Sequence, residues 1–529
     1  MSKHNKILIL ILLAAAFLRL WGLGSGELVF DEALYAFRSI GWLDYLESAV
    51  QTTPIQWLAD QPLPWWQKLS FHDHPPFFFL TQKISFSIFG DSLFASRLPS
   101  ALAGIVFVYL IYLIGQKLFQ SEPAGLAAAL IAAVSFAQIS VSRLAMMESV
   151  LFFFVAANIY CFLRMLDNYK HWPAFGITLG LAFLTKYIAI FLIPTYFLYL
   201  IINKRSLLKD KQLYAGLILA ALVFSPVIIY NIYSYQTFGH FDLQFSYLLN
   251  QKTPWPVENF GGKTQDPFSR IGENLTSVFS WPFLISSLTG LILILRKKES
   301  ARRLALVLIP FVFITLLLTQ TGSAIRFVSL YVIPFVFLAS VVFIFLWQKN
   351  PRVALAVLAI FTAHELFFTS ERVFINPPDY GVAKLDKYFD SVFNGGRSQA
   401  MPSHPNPHLN KVIQKYALST PVKLFRPAGI IYDDNIATGP MLWLFSRRQY
   451  YQAIPIMKAS QFQETVEGIK GFDLYFIKAE AASPVNPIRA TDYAERVENM
   501  LQNNNQKPAV VVYGNNNQPA FKVYKFSVQ

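Results

Sequence analysis

The chain has 529 residues, of which 54% are hydrophobic and 16% aromatic while only 14% are charged, and its formal net charge is +14. Apolar residues gathered into runs exclude a soluble protein with one core. The single cysteine, Cys161, lies inside such a run, which excludes a disulfide framework and a cysteine-based metal site.

A helical membrane span needs about 20 apolar residues, and eleven runs meet or approach that length. They lie near 7–23, 94–114, 123–141, 149–166, 172–185, 188–203, 213–233, 276–295, 304–320, 327–347 and 352–368. Cytoplasmic loops carry excess Lys and Arg, and alternate loops satisfy this rule. Lys3, Lys6, Lys117, Arg164, Lys170, Lys204, Arg205, Lys209, Lys211, Arg296, Lys297, Lys298, Arg302, Arg303, Lys349 and Arg352 fall on one side, with only Glu122, Asp167, Asp210 and Glu299 against them. The N-terminus is therefore expected to be cytoplasmic, and most of the net charge reads as a topogenic signal. A nucleic-acid partner is not expected, because no basic motif interleaved with aromatics occurs in the polar region.

Residues 172–203 are expected to cross twice. A single helix through Lys186 would carry the basic run at 204–211 to the other side and reverse every later loop. The N-terminus also has the basic start and apolar run of a signal peptide, but Gly22-Leu23-Gly24-Ser25-Gly26 follows without a cleavage site, so an uncleaved first span is the expectation.

An odd number of crossings sends the last part of the chain outside. The expected architecture is a polytopic α-helical membrane domain over 1–368 and a soluble extracytoplasmic domain over 369–529. In the latter, Val422-Lys423-Leu424-Phe425, Asp473-Leu474-Tyr475-Phe476-Ile477 and Val510-Val511-Val512-Tyr513 read as strands and the stretch around Ala494 to Leu501 as a helix, giving an α/β or α+β fold. The polar stretches 401–408 and 503–505 read as loops.

Ionisable residues near membrane depth gather on the outer side. Asp31 and Glu32 follow the first span; His72, Asp73 and His74 come late in the first outer loop, 24–93; Arg97 begins the second span. Arg143 and Glu148 lie between the third and fourth spans, Lys186 at the next outer turn, and Arg326 enters the tenth span. Such residues are costly beside a bilayer and are retained for a pathway, a pairing or a reaction. Acid plus cations suits transfer from a lipid phosphate: cations hold the phosphate by charge-assisted hydrogen bonds and stabilise it as it leaves, while a carboxylate takes a proton from the incoming hydroxyl.

Each position also has an ordinary reading. Asp31 and Glu32 suit the N-terminus of a helix over 28–40; Arg97, Lys186 and Arg326 suit headgroup anchoring; Arg143 and Glu148 suit mutual pairing. His72, Asp73 and His74 are metal-ligand types, but on an irregular loop they form a loose pattern, so a divalent metal is possible and not favoured. No cofactor is required by the scheme.

At these residues the chain resembles the GT-C membrane glycosyltransferases, in particular the group of protein O-mannosyltransferases and lipid A aminoarabinose transferases. The resemblance rests on Phe30-Asp31-Glu32-Ala33 with Tyr35, His74-Pro75-Pro76, Phe89-Gly90-Asp91, Ser96-Arg97-Leu98-Pro99, Ser142-Arg143, Met147-Glu148-Ser149, Leu184-Thr185-Lys186 and Arg326-Phe327, in that order and on one side. It implies a GT-C fold and an inverting transferase of the prokaryotic cell membrane. A single sugar would pass from a polyprenyl-phosphate donor to a protein, lipid or glycan acceptor outside the cytoplasm. Asp31 would be the catalytic base, supported by Glu32. The phosphate would be held by Arg143, Lys186, Arg326 and Arg97, and Tyr35, His74 and Glu148 would shape the pocket. It also implies amphipathic helices in the first outer loop. Asp73-His74 stands where the aminoarabinose branch has a lysine, and the Trp-Trp-Asp signature of oligosaccharyltransferases is absent. The competing classes are a secondary transporter, whose site belongs near the bilayer midplane, and a non-catalytic glycan-binding or assembly protein on the same scaffold.

Overall fold

The computed structural model describes residues 2–28, 30–40, 64–251, 267–296, 302, 304–322, 324–398, 413, 414, 416, 417, 420–465, 470–480, 491–514 and 517–528. It divides into two compact units. One contains Met1–Gly24 and Leu63–Asn376, and the other Ser25–Tyr45 and Pro377–Gln529. The expected inner-loop residues Lys297, Lys298, Glu299 and Arg303, much of the first outer loop and the expected loop at 401–408 lie outside the described residues.

In chain order the helices are α1 (Lys3–Leu20), α2 (Phe30–Ile40), α3 (Phe77–Phe89), α4 (Leu93–Phe119), α5 (Glu122–Val134), α6 (Phe136–Arg143), α7 (Met147–Asp167), α8 (Trp172–Thr185), α9 (Leu192–Asn203), α10 (Lys211–Phe238), α11 (Leu243–Leu248), α12 (Pro267–Val278) and α13 (Trp281–Leu295). They continue as α14 (Ala305–Thr321), α15 (Ile325–Val328), α16 (Val332–Lys349), α17 (Pro351–Ser370), α18 (Val382–Phe393), α19 (Thr438–Gln452), α20 (Ala459–Thr465) and α21 (Tyr493–Asn503). Every expected apolar run overlaps a helix. Five stretches among the described residues are long and apolar enough to cross a membrane, or up to seven if each of two bent pairs is one span.

The bends have local causes. Between α5 and α6 the axis turns by 54°, and the carbonyls of Ala132 and Ala133 freed there accept from the Arg19 guanidinium of α1, which also binds Gln138. Between α12 and α13 the turn is 116°, so the run at 276–295 is not one straight span. Ser280 caps α13 by accepting from the Phe283 amide at 3.2 Å, and its hydroxyl donates to the buried Glu365 carboxylate of α17. Both arrangements satisfy backbone groups that a broken helix would leave without partners in an apolar medium.

Residues 172–203 form two helices that run side by side in opposite directions. Asn158 of α7 donates to the Phe175 carbonyl at 2.8 Å and accepts from the Tyr196 hydroxyl at 2.6 Å, and the Phe175 and Tyr196 rings lie 5.5 Å apart. Lys186 sits midway between these two residues in sequence, which makes it the turn. Extended backbone at Lys186 ends α8, and a 3-10 turn over Tyr187–Phe191 begins the return.

In the second unit a five-stranded sheet has the order β2-β1-β3-β5-β4, with β1 (Ala428–Tyr432), β2 (Ile456–Lys458), β3 (Asp473–Ala479), β4 (Val510–Tyr513) and β5 (Pro519–Ser527). β1 pairs in parallel with β2 and β3, and β5 runs antiparallel to β3 and β4. Alternation along β3 sends Tyr475 and Ile477 to a core shared with α18 and α19, and Leu474 and Phe476 to one shared with α20 and α21. The expected strands at 473–477 and 510–513 and the helix near 494–501 are present. Val422-Lys423-Leu424-Phe425 is no strand: it makes one bridge, Lys423 with Arg397, and while Leu424 packs against the sheet core, Val422 and Phe425 face solvent.

Close helix packing in the first unit relies on small residues, as is usual where helices associate in lipid. A Cβ added at Gly290 of α13 would lie 1.9 Å from the Leu338 carbonyl oxygen of α16. Gly290→Ala is expected to force these helices apart at a cost of about 1–3 kcal/mol, lowering the thermal unfolding midpoint in detergent. Gly272→Ala, whose Cβ meets nothing within 4 Å, is expected to leave it unchanged or raise it. Equal midpoints for the two variants would contradict the α13–α16 packing.

Candidate functional site

Three residues far apart in sequence meet at one end of the first unit. Glu148 enters the first turn of α7, Lys186 is the turn between α8 and α9, and Arg326 lies in the one-turn helix α15. The Lys186 ammonium donates to Glu148 Oε1 at 2.5 Å, and Arg326 Nε lies 3.9 Å from the same oxygen. Glu148 is 1% exposed, and its Oε2 has no hydrogen-bond donor among the described residues. The Phe327 ring lies beside both cations, 4.5 Å from the Lys186 nitrogen and 5.1 Å from the Arg326 guanidinium carbon.

Two cations on one carboxylate leave the cluster with a formal positive charge. In partly desolvated surroundings that charge acts more strongly than it would in water. Side-chain exposures of 12% for Lys186 and 32% for Arg326 leave room for an incoming anion to reach both. The chemistry available is the binding of a phosphate-like group and the stabilisation of negative charge developing on it.

Arg97 and Arg143, grouped with these cations in the sequence reading, have a different setting. Arg143 donates to the carbonyls of Leu18 and Trp21 at 3.0 and 2.8 Å, and Arg97 to that of Leu23 at 3.2 Å. They sit on the end of α1, where unpaired carbonyls and the negative end of the helix dipole favour cations. Arg143 also lies 4.9 Å over the Phe374 ring. Glu148 pairs with Lys186 and Arg326, so the mutual pairing of Arg143 and Glu148 is not formed.

His72 and Asp73 are fully buried and His74 partly so, with His74 Nδ1 2.9 Å from Asp73 Oδ2. Among the described residues no group of three or more His, Cys, Asp or Glu is arranged to hold a metal ion.

Asp242 was not singled out by sequence reasoning. It is fully buried, accepts from the Tyr187 hydroxyl at 2.6 Å and from Asn231 at 3.0 Å, and caps α11 through the Phe245 amide at 3.0 Å. Burial pushes its carboxyl above the ordinary range, against the pull of these donors. The next amide, Leu243, donates to the His72 carbonyl at 2.7 Å. The Asp242 carboxylate and the adjoining Leu243 amide thus tie the start of α11 to the turn after Lys186 and to the loop bearing His72 and His74. The only sequence signal was an acid directly after a long span, in Gly239-His240-Phe241-Asp242.

Asp31 and Glu32 belong to the second unit. They occupy the first turn of α2, with Asp31 half-buried, Glu32 fully buried and Tyr35 buried three residues further on. Acids there complement the helix dipole, so the helix-start reading holds for both.

In sequence and fold the chain is similar to several known proteins. Residues 73–230 match the family model described as dolichyl-phosphate-mannose-protein mannosyltransferase. The protein YycA of Bacillus subtilis (strain 168), which carries a mannosyltransferase designation, is 30% identical over 226 residues, covering 42% of this chain and 30% of YycA. The structure of ArnT from Cupriavidus metallidurans bound to undecaprenyl phosphate is similar over 99% of this chain and 98% of ArnT, with a TM-score of 0.56 at 12% identity. The Archaeoglobus fulgidus oligosaccharyltransferase tethered with an acceptor peptide is similar over 98% of this chain and 74% of its own, with a TM-score of 0.54 at 13% identity. Over residues 73–230 the chain thus matches the mannosyltransferase family model, and over nearly its whole length it shares the fold of these membrane-enzyme structures.

Proposed function

We propose that the chain is an integral-membrane glycosyltransferase that moves one sugar from a polyprenyl-phosphate carrier to a hydroxyl on an extracytoplasmic protein, lipid or glycan. The observation that carries this reading is the Lys186–Glu148–Arg326 cluster at helix ends. A transporter site belongs near the bilayer midplane, whereas these residues lie at the start of α7, the end of α8 and the start of α15. The lipid phosphate bound by the similarly folded ArnT supports the donor class.

In this mechanism Lys186 and Arg326 hold the donor phosphate, and Glu148 keeps both side chains extended toward it. The acceptor hydroxyl attacks the anomeric carbon from the face opposite the phosphate, so configuration inverts. The C–O bond to the phosphate breaks with its electron pair passing to the phosphate oxygen, where the two cations stabilise the charge. Asp31 takes the hydroxyl proton, and Glu32 supports the first turn of its helix. Arg97 and Arg143 fix the end of α1. The N-terminus is cytoplasmic and the sheet-bearing unit extracytoplasmic.

Two measurements test this. In proteoliposomes supplied with radiolabelled polyprenyl-phosphate sugars, Asp31→Asn is expected to lower the transfer rate by about 10²–10⁴-fold while donor binding persists. Wild-type rates in that variant would remove Asp31 from the mechanism. Lys186→Met removes one charge-assisted hydrogen bond, worth about 1.5–3 kcal/mol, and is expected to weaken donor binding roughly 10- to 100-fold. Unchanged donor affinity would exclude Lys186 from phosphate binding.

A further inference from the structure

The segment that bears Asp31 is built into the second unit at three points. Glu27, four residues before Asp31, accepts from the amides of Tyr380 and Ala383 at 3.1 Å each, capping α18 across more than 350 residues of sequence. Gly381 between them adopts φ +81°, and a Cβ there would meet Ala520 at 2.9 Å, so the turn that presents these amides needs glycine. At the other end of α2, Phe37 stacks on Trp443 of α19 with ring centroids 5.4 Å apart and planes 21° from parallel. The helices receiving these contacts are themselves joined, because buried Arg448 of α19 pairs with Asp386 at 2.5 Å and Asp390 at 2.9 Å on α18.

A carboxylate at one end of a short segment and a stacked ring at the other fix both its position and its rotation. An eleven-residue helix has little stability of its own, so its orientation must come from such contacts. Burial pushes the Glu27 carboxyl up, while the backbone amides of Ala383, Tyr380 and Gly381 oppose the shift.

We infer that the sheet-bearing unit serves as the mount of the catalytic base, with Glu27 and Trp443 as positioning residues that hold α2 and hence Asp31 in place. This rests on the assignment of Asp31 proposed above, and it gives the C-terminal unit a role in turnover separate from donor binding.

The test uses the full chain in proteoliposomes, with kcat for transfer and affinity for a polyprenyl-phosphate sugar measured separately. Glu27→Ala and Trp443→Ala are expected to lower kcat by about 10- to 100-fold, the range that small misplacements of a catalytic group produce, with donor affinity within about twofold of wild type, since the phosphate cations do not belong to this unit. Trp443→Phe keeps a ring for Phe37 and is expected to recover most of the rate. Adding Trp443→Ala to Asp31→Asn is expected to cause no further loss, because the group being positioned is already gone. Wild-type kcat in both alanine variants, or a Trp443→Ala loss that multiplies with that of Asp31→Asn, would overturn the inference. If an alanine variant does not fold, Glu27→Gln and Trp443→Leu are judged by the same criteria. Full activity in Asp31→Asn would be a distinct failure, that of the base assignment itself.

Discussion

An ionised side chain beside a bilayer must find a partner within the protein, and this requirement orders the charged end of the helical unit. Removing a charge from water costs several kcal/mol unless hydrogen bonds or an opposite charge compensate. The chain meets the requirement in two ways. Arg19, Arg97 and Arg143 spend their donors on backbone carbonyls at the end of α1 and at the break before α6. Lys186 and Arg326 share one buried carboxylate, that of Glu148. The first arrangement anchors its cations on the protein's own backbone and stabilises the fold, whereas the second is the one to which the proposed function assigns the donor phosphate.

Much of the helical unit was legible in the sequence, because length, hydropathy and alternating loop charge all follow from the bilayer. Lys186 shows why: loop charge required a turn there, and Asn158 in contact with both Phe175 and Tyr196 demonstrates it. The partners of the charged residues were less legible. Glu148 lies five positions from Arg143 and far from Lys186 in sequence, yet the chain reverses at Leu144 and Met146 and turns the two neighbours apart. Glu365 and Asp242 left no periodic trace, since each acts as the partner of a backbone break or a helix cap set by tertiary structure.

The second unit was legible where β-branched and aromatic residues form an unbroken run, as in β3 and β4. It was misread at 422–425, where only Leu424 reaches the core and the pairing stops at one bridge. β1 escaped because its five residues are buried on both faces and show no alternation. The placement of α2 was hidden for another reason. Asp31 follows the first span closely in sequence, and nothing local reveals that Glu27 caps a helix more than 350 residues away. Long-range caps of this kind are a property of the folded chain alone.

The central claim is that Lys186 and Arg326 receive a lipid-linked phosphate. The most direct measurement is a cryo-electron microscopy structure of the full chain in lipid nanodiscs saturated with undecaprenyl phosphate. The account predicts density for the phosphate within hydrogen-bonding distance of the Lys186 ammonium and the Arg326 guanidinium, with Glu148 still holding both side chains. Phosphate bound elsewhere, with the Lys186–Glu148 pair closed and no ligand beside it, would contradict it.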